Sequence, residues 1–135
     1  MKKVFQVFLS LFGATTILIA SLHVALGPAA IPGSIRVNAT MDSEDRFYAT
    51  LFAAYGVALL WCVRDVERKS AYLHFLAGTF FAGGLARVVS MLAVGPPNAF
   101  FVAMTLLELL IPVFMVIVER RISAAGARAG AASDG

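Results

Sequence analysis

The stretch FAGGLARVVSMLAVGPPNAFFVAMTLLELLIP, Phe81–Pro112, decides the fold. It reads as the end of one apolar helix, a tight turn and the start of a second helix. In the turn, GPPNA, glycine and proline stop a helix, and Asn98 can cap the next one. Each flanking run carries a single charge, Arg87 in one and Glu108 in the other. At about 1.5 Å of rise per residue, each lies roughly 12 Å from the turn end of its helix. Antiparallel neighbours joined by so short a turn therefore bring the guanidinium and the carboxylate to one level. An unpaired charge at that depth costs about 2.5–3.5 kcal/mol in a membrane, and pairing relieves it. Pro112 has no N–H, so the Glu108 carbonyl loses its helical donor. The sequence predicts that Arg87, with five N–H groups, also serves that carbonyl.

Working outward, four apolar runs span 4–26, 47–63, 71–94 and 100–118. A transmembrane helix needs roughly 20 residues, and helices are expected over about 4–26, 44–63, 71–94 and 100–120. Of the 135 residues, 60% are hydrophobic and 14% charged, where soluble domains carry about 25% charged residues. Mean hydropathy is +0.85. The lipid bilayer is thus the expected surroundings. The fold class expected is all-α, a four-helix transmembrane bundle with up-down antiparallel order, over residues 1–122. Residues 123–135, small and polar, are expected to form a disordered cytoplasmic tail.

Lys2, Lys3, Arg64, Arg68, Lys69, Arg120, Arg121 and Arg128 fall on one side of such a bundle, and only Arg36 and Arg46 on the other. The positive-inside rule then puts both termini in the cytoplasm. Basic residues placed in short flanks are a topology signal and not a phosphate-binding stripe, so nucleic acid is not an expected partner. The first run is too long for the apolar core of a signal peptide, and no clean cleavage site follows it. The one cysteine, Cys62, is expected to pack as a small apolar residue.

Other polar residues fall at the expected outer level. Tyr55 and Tyr48 share a face of the second helix, His23 ends the first, and Arg46 lies at the start of the second. With Arg87 and Glu108 they are candidates for a polar chamber in the outer half of the bundle. Asp42, Glu44, Asp45 and Asn98 are candidates for helix caps or an outer rim, with Asp42 or Thr40 as the cap of the second helix. The pair Arg87–Glu108 can act as a plain clip between helices or as a ligand site. Small residues recur along the third run at Gly78, Ala82, Ala86 and Ser90, and along the second at Ala49 and Ala53 with Gly56 nearby. Such faces let helices approach closely, here inside the bundle. His74 needs no special role.

Two segments, NATMDSEDRFYATLFAAYGVALL and the Phe81–Pro112 stretch, resemble a bacterial family of small four-span membrane proteins catalogued as a domain of unknown function, DUF4345. The shared features are SEDRF, the YG of the second run, GG-x-x-R-x-x-S in the third, the Gly-Pro turn and EL-x-x-P in the fourth. The resemblance implies four helices in a bacterial inner membrane and brings no activity with it. The layout is also similar to that of DoxX-type four-helix membrane proteins, without shared motifs.

No H-E-x-x-H, G-x-S-x-G, P-loop or dinucleotide fingerprint occurs, and no zinc spacing. No catalytic residue, metal or cofactor is therefore expected. The function expected is a non-enzymatic binding or accessory module that holds a lipid, a small amphiphile or a partner membrane protein. The alternative is a small transporter or proton-coupled carrier acting as an oligomer. An enzyme is the least expected class; His23 with Asp42 or Glu44 is the grouping that could in principle do acid–base work at the outer surface.

Overall fold

The computed structural model describes residues 1–133. It has four α-helices: α1 Lys2–Leu26, α2 Ala39–Val63, α3 Ser70–Val94 and α4 Ala99–Ser133. A 3-10 turn, Gly27–Ala30, follows α1. No strand occurs among the described residues. All four helices are long and apolar enough to cross a membrane. The chain divides into two compact units, Val7–Arg64 and Met1–Gln6 with the residues from Asp65 on.

The first unit holds most of α1, the connection and α2. Pairing of Gly13 with Gly56 and of His23 with Asp45 runs in opposite directions along the two helices, so they are antiparallel. A Cβ on Gly13 would sit 2.9 Å from the Gly56 carbonyl oxygen, which is why two glycines meet there. This is the close approach expected of the small face of α2, where Ala49 and Gly56 are buried. Cys62 is also buried, as expected.

Asn38 caps α2, its side-chain oxygen accepting from the Met41 N–H at 2.9 Å. The helix therefore begins at Ala39, five residues before the expected start at 44. The expected caps Asp42 and Thr40 already lie inside it. Asn98 caps α4 as expected, accepting from the Phe100 N–H at 3.0 Å.

The second unit is an antiparallel pair, α3 and α4, with the first turn of α1 beside it. On α4, Thr105, Glu108, Pro112, Met115, Glu119 and Ile122 alternate in steps of three and four. All are buried except Glu108, which is half-buried. On α3 the matching row is Leu73, Ala77, Phe80, Gly84, Arg87 and Met91. This alternation is the seam spacing of packed helices. Gly84 marks the closest approach, since a Cβ there would lie 2.9 Å from a Leu109 methyl carbon. The row Gly78, Ala82, Ala86 and Ser90 is exposed and does not pack inside the chain as expected. It lies off the seam, whose close approach falls at Gly84.

Past Ser123, where a disordered tail was expected to begin, α4 continues to Ser133. Alanine has the highest helix propensity, and SAAGARAGAAS is rich in it. Ser123 Oγ also donates to Glu119 Oε1 at 2.6 Å. The last two residues of the expected tail, Asp134 and Gly135, lie outside the described residues.

Gly27 turns the corner after α1 with φ +59°. A side chain there is strained by about 1–2 kcal/mol from the backbone alone. Its Cβ would also lie 2.5 Å from Asp42 Oδ1. Gly27→Ala is therefore expected to lower stability by at least that amount in detergent unfolding. Gly78→Ala, in a helix with open space around the new methyl, is expected to raise it by about 0.5–1 kcal/mol.

Candidate functional site

The Arg87–Glu108 pair forms in the second unit. Arg87 Nε donates to Glu108 Oε1 at 3.0 Å and lies 2.7 Å from Oε2. The second contact is an ion-pair distance without hydrogen-bond alignment, so Oε2 is buried and has no hydrogen-bond partner. The guanidinium also sits over the Phe101 ring, 5.4 Å from its centre. Only the Nε edge is used. The four N–H groups on the terminal nitrogens have no acceptor among the described residues. The Arg87 side chain is 43% exposed, the Glu108 side chain 13%. The hydrogen bond goes to the Glu108 carboxylate, as the sequence predicted, but none goes to the carbonyl freed by Pro112. The seam explains this: Glu108 occupies a position facing α3, so its side chain reaches Arg87 directly.

A second polar cluster lies near the other end of the same helix pair. His74 Nε2 is 2.7 Å from Glu119 Oε2, and Ser123 Oγ donates to the other oxygen. Glu119 is only 1% exposed, and both its oxygens are engaged. A buried carboxylate needs such partners. Sequence reasoning gave no role to Glu119, just past the last apolar run, or to His74. The missed signal is spacing: Glu108 and Glu119 are separated by about three helical turns and so share one face of α4. At the same end, Lys2 Nζ pairs with Glu67 Oε2 at 2.8 Å on the surface.

Four of the six chamber candidates, Tyr55, Tyr48, His23 and Arg46, belong to the first unit, while Arg87 and Glu108 belong to the second. Tyr55 packs between Phe12 and Phe52, with ring centres 6.3 and 6.2 Å away. Tyr48 is 61% exposed and meets Phe47 edge-on. His23 Nδ1 lies 3.1 Å from Asp45 Oδ1. That pairing replaces the expected Asp42 or Glu44, because Asp42 is held elsewhere and Glu44 is exposed.

Arg46 grips Asp42 through two bonds, Nε to Oδ2 at 2.9 Å and Nη2 to Oδ1 at 3.2 Å. Its Nη1 donates to the carbonyls of Val24 and Ala25 at the end of α1. Those carbonyls have no partner within the helix. Arg46 is thus a clamp that closes α1 onto α2, with four of its five N–H groups engaged. Among the described residues no group of three or more His, Cys, Asp and Glu is arranged to hold a metal ion.

The model of the DUF4345 family, described as a domain of unknown function, matches residues 4–118. The chain belongs to this family. The match takes in Arg87, Glu108 and the Asp42–Arg46 clamp, and ends one residue before Glu119. No curated protein and no solved structure matches the chain.

Two contacts of the second unit, His74–Glu119 and Lys2–Glu67, differ in burial, and their energies are expected to differ with it. A double-mutant cycle on His74 and Glu119, read by unfolding in detergent, is expected to give a coupling of about 1.5–3 kcal/mol. The same cycle on the exposed Lys2 and Glu67 is expected to give about 0–1 kcal/mol.

Proposed function

We propose that this DUF4345 protein is a non-enzymatic binding module of the bacterial inner membrane that holds an anionic amphiphile on Arg87. One observation carries this reading. The guanidinium is anchored by its Nε edge while its terminal fork, partly exposed, has no acceptor among the described residues. Inside a span, donors without acceptors are costly. A carboxylate or phosphate presented to the fork can take two parallel bonds. Glu108 then acts as the positioning residue, and the Phe101 face steadies the cation from one side.

The orientation proposed has both termini in the cytoplasm. Its support is the basic flanks around residues 2–3, 64–69 and 120–128, against Arg36 and Arg46 on the other side. The pair then lies in the outer half of the membrane, about 12 Å from the ends of α3 and α4.

A second reading, an oligomeric proton-coupled carrier, draws on the buried Oε2 of Glu108, which has no hydrogen-bond partner. Reconstituted protein that passes no more protons than empty vesicles, across a range of pH, removes that reading.

The binding reading is tested by extracting the protein gently from its membranes and identifying co-purifying amphiphiles by mass spectrometry. Arg87→Ala is expected to cut retention of the anionic species tenfold or more, since hydrogen bonds to charged groups are worth about 1.5–3 kcal/mol. Arg87→Lys is expected to keep part of it, because a lysine supplies charge without the fork. An Arg87→Ala, Glu108→Ala double variant that folds and retains every ligand and partner of the wild type overturns the proposal.

A further inference from the structure

The connection between α1 and α2 contains a cavity of about 640 Å³. That size lies within the range of small-ligand sites. Its walls belong to the first unit and are built from hydrogen-bonded turns. The 3-10 turn Gly27–Ala30 starts it, and Ile31–Ser34 closes a β-turn with Pro32 and Gly33 at its centre. Gly33 has φ +80°, the value such a turn needs at its third position. Ser34 Oγ then ties back to the Pro28 carbonyl at 2.7 Å.

The lining is two-natured. Leu26, Ile35 and Val37 give an apolar side, and Leu26 and Ile35 remain 57% and 82% exposed. Arg36, Asn38 and Asp42 give a polar side. The charges on that side are not equivalent. Asp42 is neutralised by the two bonds from Arg46. Arg36 has no hydrogen-bond or ion-pair partner among the described residues. Asn38 uses its oxygen for the helix cap, leaving its NH2 group as a donor. The net offer of the cavity is therefore a free guanidinium and an amide donor beside an open apolar wall.

Its place in the chain fixes its surroundings. It joins the ends of two helices long enough to span a membrane, which is the level of lipid headgroups. We infer that the cavity seats the headgroup of one anionic phospholipid, with the phosphate on Arg36 and Asn38 and the upper acyl chain along Leu26 and Ile35. A zwitterionic lipid brings its own cation to the phosphate and gains less from Arg36. This inference rests on the first unit alone and does not depend on the Arg87 reading.

The test is calorimetric titration of delipidated protein in neutral detergent. The titrants are short-chain phosphatidylglycerol, the matched phosphatidylcholine and glycerol 3-phosphate. The expected result is one phosphatidylglycerol per chain, bound more tightly than phosphatidylcholine. Arg36→Ala is expected to weaken it tenfold or more, the worth of one hydrogen bond to a charged group. Arg36→Glu is expected to weaken it further and Arg36→Lys to retain most of it. Arg36 is exposed on a connection, and unchanged helical circular dichroism confirms that these variants fold. Wild-type affinity in both Arg36→Ala and Arg36→Glu overturns the inference. Glycerol 3-phosphate binding as tightly as the lipid overturns the lipid assignment in favour of a free phosphate. Loss of the lipid in Arg87→Ala but not in Arg36→Ala overturns this site while leaving the Arg87 reading in place. Loss in Arg36→Ala with retention in Arg87→Ala supports the seat as drawn.

Discussion

A charge inside an apolar helix must find its partner within reach of its own side chain, and this requirement organises the α3–α4 pair. Arg87 and Glu108 meet across the seam because the four-residue connection Gly95–Asn98 folds α4 back along α3. The pairing allows one register only. A shift of α4 by a single turn, about 5.4 Å, would carry the carboxylate beyond the guanidinium and leave both charges unpaired. Gly84, which admits the Leu109 side chain, lies at the register the ion pair selects. Packing and electrostatics therefore choose the same alignment.

The same logic acts at the far end of α4 with a different outcome. Glu119 is more deeply buried than Glu108, yet His74 and Ser123 engage both its oxygens. Neither oxygen of that carboxylate lacks a partner. At Arg87 the accounting of donors and acceptors does not close. Burial alone thus fails to separate the two sites, whereas unused hydrogen-bonding capacity does separate them.

Much of this was legible in the sequence. Apolar run length located four helices, and the solitary charges at Arg87 and Glu108 announced their own pairing. What was missed has physical causes. The cap of α2 fell to Asn38 because the helix gains a further turn once Arg46 holds Asp42. The role of Glu119 was hidden because a charge following an apolar run reads as solvated. Only its three-and-four spacing with Met115 and Ile122 betrays a buried face. The polar chamber, drawn mainly from depth, takes its residues from both units. Depth fixes height along a helix and says nothing of azimuth, which is set by the seam. The cavity lined by Arg36 could not be read from the sequence at all, since it arises from the path of an irregular connection.

Gly27 shows how tightly that connection is bound to its neighbours. Its missing side chain is the space into which the Asp42 carboxylate and the Arg46 guanidinium fit. The three positions form a locked set, although 15 residues of chain or more separate the glycine from the other two in sequence. A bulkier residue at this corner would displace the Asp42 carboxylate and the Arg46 guanidinium together, so a change at any one of the three positions is felt at the other two.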